Sequence, residues 1–213
     1  MSGLAKNKSK RRTLKLVELA LMVALVAALQ MLSALIPPIG GTVSITLTLI
    51  PVVVGGILLG KGAGAVLGFA FGAIVLMNCV IALDPGGSIL WNANPFITAA
   101  LCLVKGTAAG LVPACLYQII RGKKTGKKGK KRVLIATVVA ALSAPIVNTG
   151  IFIAGMLIFF MDILQAWAGG TNLVSYILLG LCGLNFTVEF LVNVILSPAI
   201  VRIVDVIDKW DMK

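Results

Sequence analysis

A single lysine, Lys105, stands inside the apolar run ITAALCLVKGTAAGLV (97–112), and a single acid, Glu189, stands inside another run near the C-terminal end. Asn185, Glu189 and Asn193 recur at i, i+4 and i+8, which puts all three on one face of a helix. Asn148, Asn78 and Gln30 add amide groups inside further apolar runs. An ammonium, a carboxylate and several amides in apolar surroundings suit the binding of a small polar or anionic molecule through charge-assisted hydrogen bonds. The same set is poor for catalysis. The chain has no histidine, and Glu189 is the one acid far from the ends of the apolar runs, so no acid–base dyad or metal cluster can be nominated. The four cysteines (Cys79, Cys102, Cys115, Cys182) lie singly in apolar runs and read as small buried hydrophobes. A purely structural role for Lys105 and Glu189, an ion pair tying two helices together, stands beside the binding role, because desolvation offsets much of such a pair's attraction.

The elements that carry these groups follow from composition. Of the 213 residues 59% are hydrophobic and only 12% charged, and the mean hydropathy is +1.06. A water-soluble domain with that balance would expose far more apolar surface than it could tolerate. The apolar runs divide into six expected membrane-spanning helices: Leu14–Ile36, Val43–Gly60, Gly62–Leu83, Pro95–Ile120, Val133–Met161 and Leu173–Val204. Breaks fall at IPPIGG, GKG, DPGG and AGGTN, where glycine and proline punctuate the chain. The expected organisation is a basic tail over 1–13, an all-α six-helix membrane domain over 14–205 with a basic loop at 121–132, and a short tail over 206–213. The apolar stretch of the first span is too long, and lacks a convincing cleavage site, for a removable signal peptide.

Charge sets the expected orientation. With both termini cytoplasmic, the N-terminal tail, the turn at Lys61, the loop RGKKTGKKGKKR and the C-terminal end gather 18 of the 19 Lys and Arg residues on one side. Lys105 is the exception. The net charge of +12 therefore reports membrane orientation and attraction to anionic lipid, and nucleic acid is not expected as a partner. The basic loop is not a phosphate-binding loop, since Gly122 and Gly126 are separated by three residues and Lys128 follows Lys127.

Measured along each helix from its basic end, Lys105 and Asn148 lie ~24 Å deep, Asn185 and Glu189 ~25 and ~20 Å, and Gln30 and Asn78 ~22 and ~25 Å. Five spans are thus expected to bring polar groups to one level, slightly outside the centre of a hydrocarbon core about 30 Å thick. Above it, Trp91, Asn92 and Asn94 in GGSILWNANPF, with Trp167 farther on, supply either interfacial anchors or a lid. Asn94 before Pro95 also fits a helix N-cap. Aromatic residues are scarce at the expected cavity level. Glu18 lies about one turn from Lys15 and reads as interfacial. Small residues form two stripes, Gly60, Gly64, Gly68 and Gly72 in the third span and Ala20, Ala24 and Ala28 in the first. Such stripes permit close helix approach in lipid; the glycines are expected to pack within the chain, whereas the alanines equally suit another subunit.

With SITLTLIPVVVGGILLGKGAGAVLGFAFG (44–72), the alanine stripe, NPFI opening the fourth helix and the six-span plan, nearly the whole chain resembles the substrate-binding S components of energy-coupling factor (ECF) transporters. The resemblance implies a subunit of a bacterial plasma membrane that captures a vitamin or similar micronutrient from outside, with no cofactor and no ATPase site of its own. It implies as partners a transmembrane coupling subunit, contacted through an Ala-x-x-x-Ala motif matched by Ala20, Ala24 and Ala28, and two cytoplasmic ATPases. It also implies a ligand site in the outer half, for which Lys105, Glu189, Asn185, Asn148, Asn78, Asn92, Asn94 and Trp91 are the candidates. Within the family the sequence is most similar to a pantothenate-like subgroup, and a lysine-plus-amide cavity suits that vitamin's carboxylate, hydroxyls and amide. Two other classes compete. A self-contained secondary transporter would use Lys105 and Glu189 as a proton-coupled pair, although no internal repeat supports it. An intramembrane enzyme would need groups the chain lacks.

Overall fold

The computed structural model of the protein describes residues 2–34, 48–122 and 126–180, together with Thr187, Phe190, Leu191, Ile195 and Arg202. Among the described residues the regular structure is helical, with no strand. In chain order the helices are α1 (Ser2–Ala34), α2 (Leu49–Leu59), α3 (Lys61–Val80), α4 (Pro85–Ala93), α5 (Pro95–Arg121), α6 (Gly126–Phe159), α7 (Met161–Ala168) and α8 (Leu173–Ser175). A wider π-helical turn continues α8 over 176–180.

Four stretches are long and apolar enough to cross a membrane: Thr13–Ser33, Lys61–Val80, Pro95–Arg121 and Lys131–Phe159. They coincide with the first, third, fourth and fifth expected spans. α1 continues through the basic tail as one helix, so the tail is not separated from the first span by a structural break. The second expected span is represented by α2, whose 11 residues reach only ~16 Å; residues 43–47 lie outside the described residues, as does most of the sixth span. α2 is nonetheless buried along almost its whole length, from Leu49 to Ile57. A helix apolar on every side has no polar face to turn outward, and here its neighbours α1, α3, α5 and α6 cover it.

Two helices were not expected. Residues 85–93, read as loop from the DPGG break, form α4, with Pro85 in its first turn presetting the helical φ. Residues 161–168 form α7 where the sequence suggested the end of a span and a loop.

Glycine sets the geometry at the centre. At Gly60 the chain turns sharply from α2 into α3 with φ +101°, a conformation that residues with a Cβ rarely adopt. Along α3, a Cβ on Gly64, Gly68 or Gly72 would come within 2.5, 2.2 and 2.5 Å of the carbonyl oxygens of Gly110, Gly106 and Cys102. α3 and α5 therefore touch backbone to backbone, glycine facing glycine, as dispersion-driven packing in lipid favours. On the next side of α5, Leu101 fills the space left by Gly155 of α6.

Two apolar clusters result. The larger joins Val26, the buried face of α2, Leu67, Phe71 and Val75 of α3, Tyr117 of α5, and the alanines Ala136, Ala140, Ala141 and Ala144 of α6. The smaller joins Leu90 of α4, Leu101 of α5, Met156 of α6, Phe160 at the junction of α6 and α7, and Leu164 of α7, with Phe152, Trp167 and Tyr176 packed against it.

Candidate ligand-binding site

The α3–α5 contact decides where Lys105 points. Cys102, Gly106 and Gly110 face α3, so Lys105, one residue from Gly106, is turned about 100° away from that seam. Its ammonium lies over the ring of Phe152 on α6, 4.9 Å from the centroid. The side chain is half-buried. A cation on an aromatic face gains about 0.5–2 kcal/mol, the larger value where water is excluded. Phe152 was not singled out in the sequence, and it places one aromatic ring at a level where such residues were expected to be scarce. Its i+4 spacing from Asn148 is the signal that would have found it.

Asn148 is 8% exposed, and its Oδ1 is buried without a hydrogen-bond partner among the described residues. It sits one turn from Phe152 on the same face of α6, so the ammonium of α5 and the amide of α6 are brought to one region as expected. Thr98, seven residues before Lys105 on α5, is 1% exposed and has a buried Oγ1 in the same unpartnered state. It too was not anticipated, because a threonine in a helix ordinarily satisfies itself on a carbonyl one turn back, as Thr107 does on Leu103.

Other expected members separate from Lys105. In the antiparallel register set by Gly64–Gly110 and Gly72–Cys102, Lys105 is level with the stretch 68–72, and Asn78 lies about two turns farther along. Asn78 is buried, and its backbone carbonyl accepts from the N–H groups of Leu83 and Asp84. The expected single level fails because Lys61 and Arg121 do not end α3 and α5 in one plane. Gln30 is also buried, but its Oε1 accepts from the Thr48 hydroxyl at 2.5 Å and joins α1 to the start of α2.

Around Asn78 the turn between α3 and α4 forms a second polar region. Asp84 has one buried carboxylate oxygen with no hydrogen-bond partner among the described residues. Gly87 of α4 packs on the Cys79 sulfur and on Asp84. Cys79 and Cys102 are free and buried, as their reading as small buried hydrophobes expects.

At the start of α5, the Asn94 Oδ1 accepts from the Ile97 N–H at 3.1 Å, and Pro95 occupies the first helical position. That oxygen is therefore engaged in capping. Asn92 is exposed on α4, and Trp91 is half-buried against the larger apolar cluster. Glu18 is exposed, as befits an interfacial residue. Asn185, Glu189 and Asn193 lie outside the described residues. Ala20, Ala24 and Ala28 are exposed, while the inward face of α1 is made by Val26, Gln30 and Ser33.

Chemically the arrangement offers a cation on an aromatic face, with buried amide and hydroxyl oxygens on the same two helices. Among the described residues no three His, Cys, Asp or Glu side chains gather where a metal could sit.

A family model described as thiamine transporter protein matches residues 16–207. The pantothenic acid transporter PanT of Lactococcus lactis subsp. cremoris is 25% identical over 164 residues, covering 73% of this chain and 75% of that protein. No solved structure matches.

Proposed function

Because the chain belongs to the thiamine transporter protein family, a family of vitamin-transporting S components, we propose that it is the membrane-embedded capture subunit of an ECF-type importer, with pantothenate as its ligand. The observation that carries the ligand reading is the Lys105 ammonium held on Phe152, one turn along α6 from Asn148, whose amide oxygen has no hydrogen-bond partner among the described residues. An ammonium in low-dielectric surroundings attracts a carboxylate strongly and repels a cation. Pantothenate brings a carboxylate for Lys105, and its hydroxyls and amide N–H suit Asn148 and Thr98. Glu189, Asn185, Asn92, Asn94 and Trp91 are the further proposed contacts, Asn94 through its amide nitrogen because its oxygen caps α5, whereas Asn78, about two turns from Lys105, belongs to the second polar region. The pantothenic acid transporter among its relatives supports the same choice.

Thiamine is the second reading. Phe152, Trp167 and Tyr176 pack around the smaller cluster, and aromatic faces hold cationic rings. It is the weaker reading because thiamine's positive charge would have to lie near Lys105.

In the proposed cycle the ligand enters from outside, at the ends of the helices opposite the basic loop. Both termini lie in the cytoplasm, with six spans in a bacterial plasma membrane. A coupling subunit engages Ala20, Ala24 and Ala28, and two cytoplasmic ATPases supply the energy that this chain does not generate itself.

The test is mass spectrometry of small molecules released by denaturing the purified protein, followed by competition with pantothenate and with thiamine. Stoichiometric release of pantothenate, or its preferential displacement of bound ligand, is the expected result. Displacement by thiamine alone would replace the ligand while leaving vitamin capture standing. Proton-coupled transport by the isolated chain, abolished by an uncoupler, would sink the importer reading.

A further inference from the structure

The bundle has a concave feature at the basic ends of α1 and α3. A cleft of about 350 Å3 opens there, lined by Lys15, Leu16 and Leu19 of α1, Leu59 of α2, and Gly62, Ala63 and Val66 of α3. Its volume falls in the range of small-molecule pockets, about 300–1,000 Å3, and Lys105 is not part of it. The lining has one charge, the Lys15 ammonium, at one end; every other wall is apolar or small. The space beside Gly62 is open, since a Cβ there would meet nothing within 4 Å. Leu16 and Val66 are 66% and 48% exposed, so the cleft faces the bilayer and not the interior of the bundle.

We propose that this cleft binds one anionic glycerophospholipid, its phosphate on Lys15 and an acyl chain along Leu16, Leu19, Leu59 and Val66. Apolar walls alone would select nothing, because lipid tails are as apolar as leucine. The selection comes from charge: Lys15 lines the cleft, Lys61 adjoins the lining residue Gly62, and Lys10, Arg11 and Arg12 precede Lys15 on α1. Basic pockets between transmembrane helices are built to hold anionic headgroups. Lys15 and Leu19 lie on the side of α1 away from Ala24 and Ala28, at 3.6 residues per turn, whereas Leu16, one turn before Ala20, borders the alanine face. The site is independent of which vitamin the chain captures.

The experiment uses the full chain, delipidated in a neutral detergent and examined by native mass spectrometry with phosphatidylglycerol or phosphatidylcholine of identical chains. Phosphatidylglycerol should be retained at least fivefold more tightly. Lys15→Ala should remove about fivefold of that preference, the factor expected for one basic residue at a membrane surface. Val66→Trp should fill the cleft and reduce retention of both lipids. Glycerol 3-phosphate, a headgroup without chains, should not compete. Equal retention of the two lipids, indifference to both substitutions, or displacement by glycerol 3-phosphate would each overturn the proposal. Vitamin binding is recorded on the same samples and should not change. Its loss in the unsubstituted chain, with the lipid preference intact, would count against the function proposed above and not against this site.

Discussion

Lys105 is tolerable inside the bundle because its charge has somewhere to rest. An unpaired ammonium at mid-membrane costs ~3 kcal/mol or more, and the Phe152 face beneath it returns part of that without consuming the N–H donors. In the proposed site those donors serve the ligand's carboxylate. Lys105→Ala should therefore weaken pantothenate binding about 10- to 100-fold, the worth of a charge-assisted hydrogen bond, while leaving membrane insertion and yield unchanged. Calorimetric titration of the purified variant checks this, and an unaltered affinity would return Lys105 to a structural role. The sequence made Lys105 and Asn148 legible because polar groups in apolar runs need a reason to be there. Phe152 and Thr98 were not, since a phenylalanine in a membrane helix looks like any lipid-facing side chain and a threonine ordinarily bonds its own backbone. Asn94 shows the reverse limit: a residue with two readings, whose side-chain oxygen is committed to capping α5.

The α3–α5 seam is what holds Lys105 in that direction. Gly68 is its tightest point on α3, where a Cβ would fall 2.2 Å from the Gly106 carbonyl oxygen, in the residue next to Lys105. Gly68→Ala must push two backbones apart and should cost about 1–3 kcal/mol. In a chain of this length that corresponds to a fall in Tm of roughly 3–10 °C, with ligand affinity falling alongside it. Gly150→Ala is the control, because a Cβ there meets nothing within 4 Å and alanine is the better helix former. Its Tm should hold or rise slightly. A Gly68→Ala protein that melts and binds like the unsubstituted one would mean that the seam does not position the site. The four-residue glycine period on α3 announced close packing within the chain, but not its partner, because Gly106 and Gly110 are only two positions and lie in the stretch where Lys105 draws attention. The depth of Asn78 was misjudged for a related reason. Helix ends marked by basic residues give a level only if they share a plane, and the register of this seam shows that those of α3 and α5 do not. α4 and α7 escaped because helices of nine and eight residues are too short to show a period against flanking glycine and proline.

Under the proposed function, capture and coupling use different surfaces of one molecule. Lys105 and Asn148 belong to α5 and α6, whereas Ala20, Ala24 and Ala28 form an exposed face of α1 on the side away from Val26 and Gln30. Neighbouring residues on that side, Val17, Leu21 and Leu25, are also well exposed, so the face is a smooth apolar strip with no internal partner among the described residues. In lipid such a strip gains little from burial as such; it gains from how closely a second helix can approach, which the small side chains allow. One bulky substitution at the middle of the strip should prevent that approach without reaching the ligand. Ala24→Phe is therefore expected to abolish co-purification with the coupling subunit and to reduce vitamin uptake in cells at least tenfold, with the affinity of the isolated chain for its ligand unchanged. The pair of measurements matters more than either alone. Loss of uptake together with loss of binding would mean that α1 supports the fold of the site, whereas intact uptake would remove the alanine face from the coupling interface.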